Sequence, residues 1–261
     1  MSGLWRSLGR LLALLLLSGL SLQLYFLLRV ALMLLVDPQS TAFQRSEAWR
    51  LLVEQHHIAW RQDWVDDDRI SPNLHRAVIA SEDAGFADHS GVEWDAIEKA
   101  WERNQRAEQR ADKLNERLEK QAAQRKSGSP PKPVAKATAK VVGGSTITQQ
   151  LAKNLFLSGE RTVFRKAQEF LITFMLEALL DKRRILTIYL NHVEWGEGVF
   201  GAEAAAQHYF RVPAARLGAY PAARLAVMLP APKRFEKQPG SAYVSGRAGT
   251  IVARMGGVEL P

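Results

Sequence analysis

The 261-residue sequence contains no cysteine. This absence excludes disulfide bonds, thiolate zinc sites and cysteine nucleophiles. The sequence also lacks internal repeats, β-rich stretches and a second long apolar run to match the one near its N-terminus. Hydrophobic residues make up 47% of the chain, which is enough for a folded core. These features together favour a mainly helical protein.

The charge of the chain is strongly positive, with a formal net charge of +8 and a pI of about 9.8. Such a balance favours an anionic partner, because opposite charges attract a ligand over distance. Nucleic acid, an acidic lipid surface and a phosphorylated substrate all fit this description.

The N-terminus carries a long apolar run from Leu11 to about Val36, preceded by Arg6 and Arg10. About 20 apolar residues suffice for a helix to cross a bilayer, and no Ala-x-Ala cleavage pattern follows. We therefore predict an uncleaved transmembrane anchor at residues 11–36, with a buried core helix as the alternative. The two arginines place residues 1–10 in the cytoplasm and residues 37–261 outside.

Beyond the anchor, residues 38–70 are polar and aromatic-rich, which indicates short helices leading into a domain. The Ser71-Pro72 pair predicts the start of a helix that ends near Gly85, since proline suits the first helical turn. A second helical segment is predicted from Val92 to about Ala100.

The segment 102–140 is interpreted as an insertion in the domain. Residues 101–126 are almost all charged or helix-forming, which indicates either a solvated helix or a disordered arm. Residues 127–140 are rich in Ser, Gly, Pro and Lys, a composition typical of a flexible linker.

Helical patterning resumes after this insertion. Ser145 or Thr146 is predicted to cap a helix that runs through Leu155. Residues 162–190 carry a broad apolar stripe at helical spacing, and a glycine-rich turn then precedes another helix at 202–210.

The first group of chemically active residues is the segment 81–91, which contains Glu82, Asp83, Asp88 and His89. Adjacent carboxylates near apolar residues can raise one pKa and so create a general base. An exposed acidic loop has the same composition, so this segment alone leaves both interpretations open.

The second group is the segment 143–154, which begins with a glycine pair and continues into a helix. Glycine lets the backbone approach a ligand closely, and the free N–H groups of a helix start attract anions. Gln150 and Lys153 are three residues apart and share a face. The alternative is an ordinary capped helix.

The third group combines Arg161, Arg165 and Lys166 with Glu169. Three cations around one carboxylate suit a diphosphate, with the carboxylate holding a divalent metal ion. The alternative is a charged helix face stabilised by a pair such as Arg165–Glu169.

The residues of these segments and their order along the chain resemble the motifs of the glycosyltransferase family that polymerises peptidoglycan from lipid II (glycosyltransferase family 51). Its Glu-Asp-x-x-Phe-x-x-His-x-Gly motif starts at Glu82, and Gly-Gly-Ser-Thr-Ile-Thr-Gln-Gln-x-x-Lys-Asn is complete from Gly143. The Arg-Lys-x-x-Glu motif starts at Arg165. The resemblance covers roughly residues 70–232. With one anchor and no added transpeptidase domain, the chain resembles the monofunctional, biosynthetic branch of the family.

Two further motifs of the family are also present, at residues 185–191 and 198–210. Two positions depart from the family pattern. Glu93 replaces an aspartate, and Thr187 stands where a glutamate is usual, so a structural salt bridge at that position is in doubt.

The resemblance implies a mainly α, lysozyme-like glycosyltransferase domain that follows one transmembrane helix. It also implies the reaction, in which the GlcNAc 4-hydroxyl of lipid II attacks the anomeric carbon of MurNAc in the growing chain. Undecaprenyl diphosphate leaves, and the anomeric centre is inverted. The partners are therefore lipid II, the growing glycan-diphosphoundecaprenol and the membrane, together with division or elongation machinery.

The resemblance implies a role for each site residue. Glu82 is the general base, and Asp83 tunes or orients it, while Phe86 and His89 are structural. Glu169 holds Mg²⁺ or Mn²⁺ on the diphosphate, or else orients the cations. The residues that bind the donor and its diphosphate are Ser145, Gln150, Lys153, Arg161, Arg165 and Lys166.

The predicted location is the bacterial inner membrane, with a single span and a periplasmic catalytic domain. Two other functions stay open. A lytic transglycosylase would also use one glutamate, but cleavage of an uncharged bond would not need Lys153 and Arg161. A non-enzymatic scaffold would bind a partner through the charged segment. Nucleic-acid binding is not expected, since an exported domain meets little nucleic acid.

Overall fold

The computed structural model describes residues 2–124, 144–157, 159–160 and 162–261, and two compact units divide the chain. The first unit comprises residues 1–92 and 146–261, and the second comprises residues 93–145. Within the described residues the helices are α1 (Ser2–Leu32), α2 (Ala42–Gln55), α3 (Pro72–Glu82), α4 (Trp94–Gln124), α5 (Ile147–Phe156), α6 (Val163–Leu179), α7 (Lys182–His192), α8 (Ala202–Phe210), α9 (Ala219–Met228), α10 (Pro232–Phe235) and α11 (Ala242–Met255).

Helix α1 contains a stretch of 28 residues, Trp5–Leu32, that is long and apolar enough to cross a membrane. It is the one such helix in the described part of the chain, so the predicted single N-terminal apolar helix is confirmed. The helix begins before Leu11 and ends at Leu32, after which the chain turns as far as Val36. Pro38 follows, and a proline disfavours helical conformation in the residue before it.

The C-terminal third of α1 packs against the folded domain. Phe26 and Val30 are buried there, and the Phe26 ring meets the Phe156 ring edge-on at a centroid distance of 5.3 Å. The side-chain amides of Gln23 and Gln168 exchange two hydrogen bonds of 2.8 and 3.0 Å. Just beyond the helix, Arg184 forms an ion pair of 2.7 Å with Asp37.

The region 38–70 contains one well-formed helix, α2, instead of several short ones. Thr41 starts it with a capping box, in which Thr41 and Gln44 exchange side-chain to backbone hydrogen bonds. A short strand, β1 (Arg61–Gln62), and a 3₁₀ turn (Asp67–Arg69) complete the region.

Helix α3 lies in the centre of the first unit and positions the candidate base. Ser71 caps it as the Ser-Pro pair predicts, because its hydroxyl accepts a hydrogen bond from the N–H of Asn73. Leu74, Val78 and Ile79 are fully buried, and the helix packs against α9 and α11. It ends at Glu82, earlier than the predicted Gly85, because Asp83 leaves the helical conformation.

The apolar stripe over residues 162–190 belongs to two helices, α6 and α7, which are separated at Leu180–Asp181. Asp181 starts α7, since its carboxylate accepts a hydrogen bond of 2.6 Å from the N–H of Arg184. A capping residue thus interrupts a pattern whose apolar spacing continues through it. Helix α5 packs against both α6 and α7.

A three-stranded sheet of order β1-β3-β2 stands beside α8, with β2 at Glu194–Gly196 and β3 at Val199–Phe200. Its strands are two or three residues long, consistent with a sequence that has no β-rich stretch. Gly198 is required between β2 and β3, because its φ is +71° and a Cβ atom there would lie 1.9 Å from the carbonyl oxygen of Ala59.

The second unit contains α4, which joins the two predicted segments 92–100 and 101–126 into a single helix. The solvated helix is therefore the correct one of the two interpretations for residues 101–124. Oppositely charged residues such as Glu102 and Arg106 pair along it at 2.9 Å. The predicted linker 127–140 lies outside the described residues.

Candidate active site

Glu82 is the last residue of α3, and its carboxylate lies where α3, α5 and α7 meet. Gln150 donates its side-chain N–H to Glu82 Oε2 at 3.1 Å, and the Ser81 hydroxyl lies 3.4 Å from Oε1. Burial raises the pKa of Glu82 above its usual value, although these two hydrogen bonds oppose the rise and the nearby charge of Asp83 adds to it. A carboxylate of this kind holds a proton more readily than a solvated one, which suits a general base.

Asp83 directs its carboxylate away from Glu82 into the protein, where the side chain has no solvent exposure. Its Oδ2 accepts a hydrogen bond of 2.9 Å from the N–H of Ile147, the first residue of α5. Its Oδ1 lies 2.8 Å from Nε2 of His89. Asp83 therefore fixes the start of α5, and through α5 it fixes the position of Gln150.

His89 has a defined proton position. Its Nδ1 accepts the backbone N–H of Gly91 at 3.0 Å, so the ring proton of neutral His89 must be on Nε2, which faces Asp83. The Phe86 ring is completely buried under the Lys182 ammonium group, 4.6 Å from its centroid. Neither residue offers a free reactive group, and both fit the structural role implied by the resemblance.

Helix α5 presents Gln150 beside Glu82. Thr146, not Ser145, caps this helix, and it forms a capping box with Gln149. Lys153 lies one turn beyond Gln150 and is exposed, so the two residues share a face as their spacing predicts. Ser145 is exposed and belongs to the second compact unit.

A second group of site residues lies on α6. Glu169 is 3% exposed, and its two carboxylate oxygens pair with Arg165, at 2.9 Å, and with Lys166. The Nε atom of Arg165 is buried and has no hydrogen-bond partner within the described part of the chain. Arg161, the third predicted cation, lies outside the described residues.

The metal-ligand role predicted for Glu169 does not fit this arrangement. Both of its oxygens already accept hydrogen bonds from cations. The described residues also contain no group of three or more His, Asp or Glu side chains that could hold a metal ion. The geometry supports the alternative role, in which Glu169 orients Arg165 and Lys166. The requirement for Mg²⁺ or Mn²⁺ stays a prediction.

The site thus has two parts, one with a poised carboxylate and one with oriented cations. Among the described residues no hydrogen bond or ion pair joins Glu82 to Glu169. The connection between the two parts is the packing of α5 against α6.

Two contacts made by α7 were not predicted from the sequence. The hydroxyl of buried Tyr189 donates a hydrogen bond to Oε1 of Gln150 at 3.0 Å. Thr187, at the position that departs from the family pattern, donates to Asp67 at 2.9 Å, and Arg183 pairs with the same carboxylate at 2.6 Å. A salt bridge therefore does lie beside position 187, but it is formed by Arg183 and Asp67 and not by residue 187. The family motif includes Tyr189 but gives no indication of its contact.

The structure thus defines a helical domain that follows one N-terminal apolar helix and that carries a partly buried glutamate and a separate cation cluster. The comparisons with known proteins identify which enzyme family this is. The family model described as Transglycosylase matches residues 51–126 and 131–256.

Curated relatives named "Biosynthetic peptidoglycan transglycosylase" are similar over most of the chain. Those of Burkholderia thailandensis and Burkholderia pseudomallei are 52% identical over 245 residues, which is 94% of this chain and 84% of each relative. That of Burkholderia orbicola is 50% identical, with 94% and 87% coverage. The chain belongs to the transglycosylase family. The predictions of a peptidoglycan glycosyltransferase and of a mainly helical, lysozyme-like domain are confirmed.

Proposed function

We propose that this chain polymerises lipid II in cell wall biosynthesis by single-displacement transfer, with Glu82 as the general base. The observation that carries the assignment is the environment of Glu82. It is the carboxylate that combines partial burial, a raised pKa and a hydrogen bond to the glycine-rich motif through Gln150.

In the proposed step the 4-hydroxyl oxygen of the acceptor GlcNAc forms a bond to the anomeric carbon of the donor MurNAc. The bond from that carbon to the diphosphate breaks at the same time, and the hydroxyl proton passes to Glu82. A sugar hydroxyl is a weak nucleophile at neutral pH, so a base within hydrogen-bonding distance accelerates its attack. Because the attack occurs opposite the leaving group, the α linkage becomes β.

The leaving diphosphate is the reason for the cation cluster. Charge that develops on a leaving group is stabilised best by donors that are already oriented. Glu169 orients Arg165 and Lys166 in this way. Lys153 and Arg161 complete the proposed diphosphate site. Cleavage of an uncharged glycan bond has no use for these cations, which disfavours a lytic enzyme.

The way α6 lies beside α1 supports a position of the domain at the membrane. Gln168 pairs with Gln23 inside the apolar stretch, while Arg184, beyond the end of α6, pairs with Asp37 beyond the end of α1. This arrangement supports a position in which the N-terminal end of α6 reaches the membrane. Its side chains Val163 and Phe164 are 84% and 89% exposed, and lipid is the environment that suits them.

The proposed location is the inner membrane, with residues 1–10 in the cytoplasm and the catalytic domain in the periplasm. Arg6 and Arg10 support this orientation, because positive charges flanking a span favour the cytoplasmic side. The domain then meets its lipid-linked substrates at the outer leaflet.

The decisive experiment is lipid II polymerisation by full-length Glu82→Gln protein in detergent. We expect glycan synthesis to fall about a hundredfold or more, as on loss of a general base, while lipid II binding persists. Glu259→Gln, which changes an exposed glutamate, should polymerise like the wild type. Near-normal synthesis by Glu82→Gln would refute the base assignment. Cleavage of finished glycan by the wild type would indicate the lytic alternative.

A metal requirement is tested separately, by polymerisation in excess EDTA with and without added Mg²⁺ or Mn²⁺. No step of the proposed mechanism passes through a metal ion. Loss of activity in EDTA that the added ion restores would show that an ion acts together with the cation cluster.

A further inference from the structure

Tyr189 is a buried residue that is linked to the proposed base and has been given no function. It lies on α7, its side chain is 1% exposed, and its hydroxyl is 3.0 Å from Gln150 Oε1. Gln150 in turn donates from Nε2 to Glu82 Oε2 at 3.1 Å. The three side chains come from α7, α5 and α3, so they form a chain of hydrogen bonds across three helices.

The direction of this chain is set by the orientation of the Gln150 amide, whose oxygen lies towards Tyr189 and whose nitrogen lies towards Glu82. An amide oxygen can only accept a hydrogen bond, so the Tyr189 hydroxyl must donate to it. With the oxygen held on that side, the amide NH₂ group of Gln150 faces Glu82. The opposite orientation of the amide would bring its oxygen towards the Glu82 carboxylate, and two acceptors at that distance repel unless Glu82 carries a proton.

We propose that Tyr189 is a positioning residue for the transfer reaction, which holds the Gln150 amide with its NH₂ group towards Glu82 and so favours the ionised, base-competent carboxylate. The inference rests on the proposed role of Glu82. It adds a function for Tyr189, and it extends that of Gln150 from binding the donor to maintaining the base.

The surroundings of Glu82 support this assignment. Glu82 contacts Ser81 on its own helix and neutral Gln150 on α5, Tyr189 on α7 lies nearby, and the carboxylate of the next residue, Asp83, is close enough to act on it by charge. Lys153 lies one turn further along α5 and is exposed. Burial and the charges of Glu82 and Asp83 raise the pKa of Tyr189 well above its usual value, so its hydroxyl keeps the proton that it donates.

The test is the pH dependence of kcat/KM for lipid II polymerisation by the full-length Tyr189→Phe protein. This change keeps the aromatic ring and removes only the hydroxyl. Since one hydrogen bond holds the amide, we expect kcat to fall about fivefold and the acidic limb of the profile to move up by roughly half to one pH unit. KM should change by less than about twofold, because the ring and the helix packing are retained.

The matched control is Tyr209→Phe. Tyr209 is also largely buried, and its hydroxyl donates to the carbonyl oxygen of Trp195 at 2.8 Å, but this bond is not part of the Glu82 site. A purely structural role for a tyrosine hydroxyl would lower the melting temperature in both variants and leave the acidic limb unchanged in both. The proposal requires a shift in Tyr189→Phe alone.

A double-mutant cycle tests whether Tyr189 acts through Gln150. In a Gln150→Leu background, Tyr189→Phe should cause no further shift of the acidic limb, since no amide remains to be oriented. An equal shift in both backgrounds would overturn the proposal, as would a wild-type acidic limb in Tyr189→Phe. If Glu82→Gln were active, the base assignment itself would fail, so the two failures are distinguishable.

Discussion

Replacing Asp83 with asparagine is expected to destabilise the folded chain, although Asp83 neighbours the proposed base. The Asp83 carboxylate has no solvent exposure and accepts two hydrogen bonds, from the Ile147 N–H at 2.9 Å and from His89 Nε2 at 2.8 Å. Asparagine has one acceptor oxygen and one NH₂ group in the same space. Its NH₂ group must therefore face one of the two donors.

A change of tautomer at His89 cannot resolve this conflict without loss. Moving the ring proton to Nδ1 would let Nε2 accept from asparagine, but Nδ1 already accepts the N–H of Gly91 at 3.0 Å. One buried hydrogen bond is lost in either arrangement. We estimate a loss of about 2 kcal/mol in the free energy of unfolding, typical of a buried donor left without its partner. A chain of this size should then melt roughly 4–8 °C lower.

The assay is thermal unfolding of the full-length protein in detergent, and Glu82→Gln is the internal comparison. Burial raises the pKa of Glu82, so its ionised form is disfavoured in the fold, and a neutral glutamine should melt at or above the wild-type temperature at pH 8. The two neighbouring substitutions should thus differ in what they lower: Asp83→Asn lowers the melting temperature, whereas Glu82→Gln lowers activity and not stability. An Asp83→Asn protein as stable as the wild type would refute this reasoning.

Three further predictions concern other parts of the fold. Burial raises the pKa of Glu194 from 4.5 to about 7, so the folded state binds the proton more tightly than the unfolded state and wild-type stability should decrease as pH rises between these values. Glu194→Gln removes this charge and should therefore raise the melting temperature more at pH 8 than at pH 5. Gln23→Leu and Gln168→Leu should each destabilise the protein in detergent. The double variant should be about 1 kcal/mol more stable than the sum of the two single losses predicts, because neither amide is then left without its partner. Strictly additive shifts of the melting temperature would contradict the pairing. Phe164→Asp should lower polymerisation in lipid vesicles about tenfold. The control is Tyr243→Asp, which changes an exposed aromatic residue on α11 and should leave polymerisation unchanged. Equal activities of the two variants would contradict the proposed membrane position of α6.

The helix starts were predictable where a local capping signal determines them. Ser71 and Thr146 lie directly before α3 and α5, and their side chains accept backbone N–H groups within three residues. Such contacts depend on the neighbouring sequence alone. The separation of α6 from α7 was not predicted, because Asp181 lies within an apolar pattern that continues through it. The short strands were not predictable either, since β1 and β3 pair across more than 130 residues.

The candidate site was predicted as a set of residues but not as a set of contacts. The motifs identified Glu82, Gln150 and Glu169, and the structure shows which of their atoms meet. Asp83 illustrates the difference. Its position beside Glu82 in the sequence suggests that it tunes the base directly, whereas its carboxylate binds the start of α5, 64 residues away. The link from Tyr189 to Gln150 likewise spans 39 residues and depends on the packing of α5 against α7.

The burial of Phe26 and Val30 in α1 has a consequence for engineering the protein. A shortened version that begins after Val36 would uncover one side of Phe156 and leave Gln168 without its amide partner. Exchanging the span for an unrelated one of equal length would have the same effect, even with the protein in the correct membrane. The same helix thus carries both the apolar stretch that could span a membrane and the side chains that complete the packing of the domain, so replacing the helix changes both.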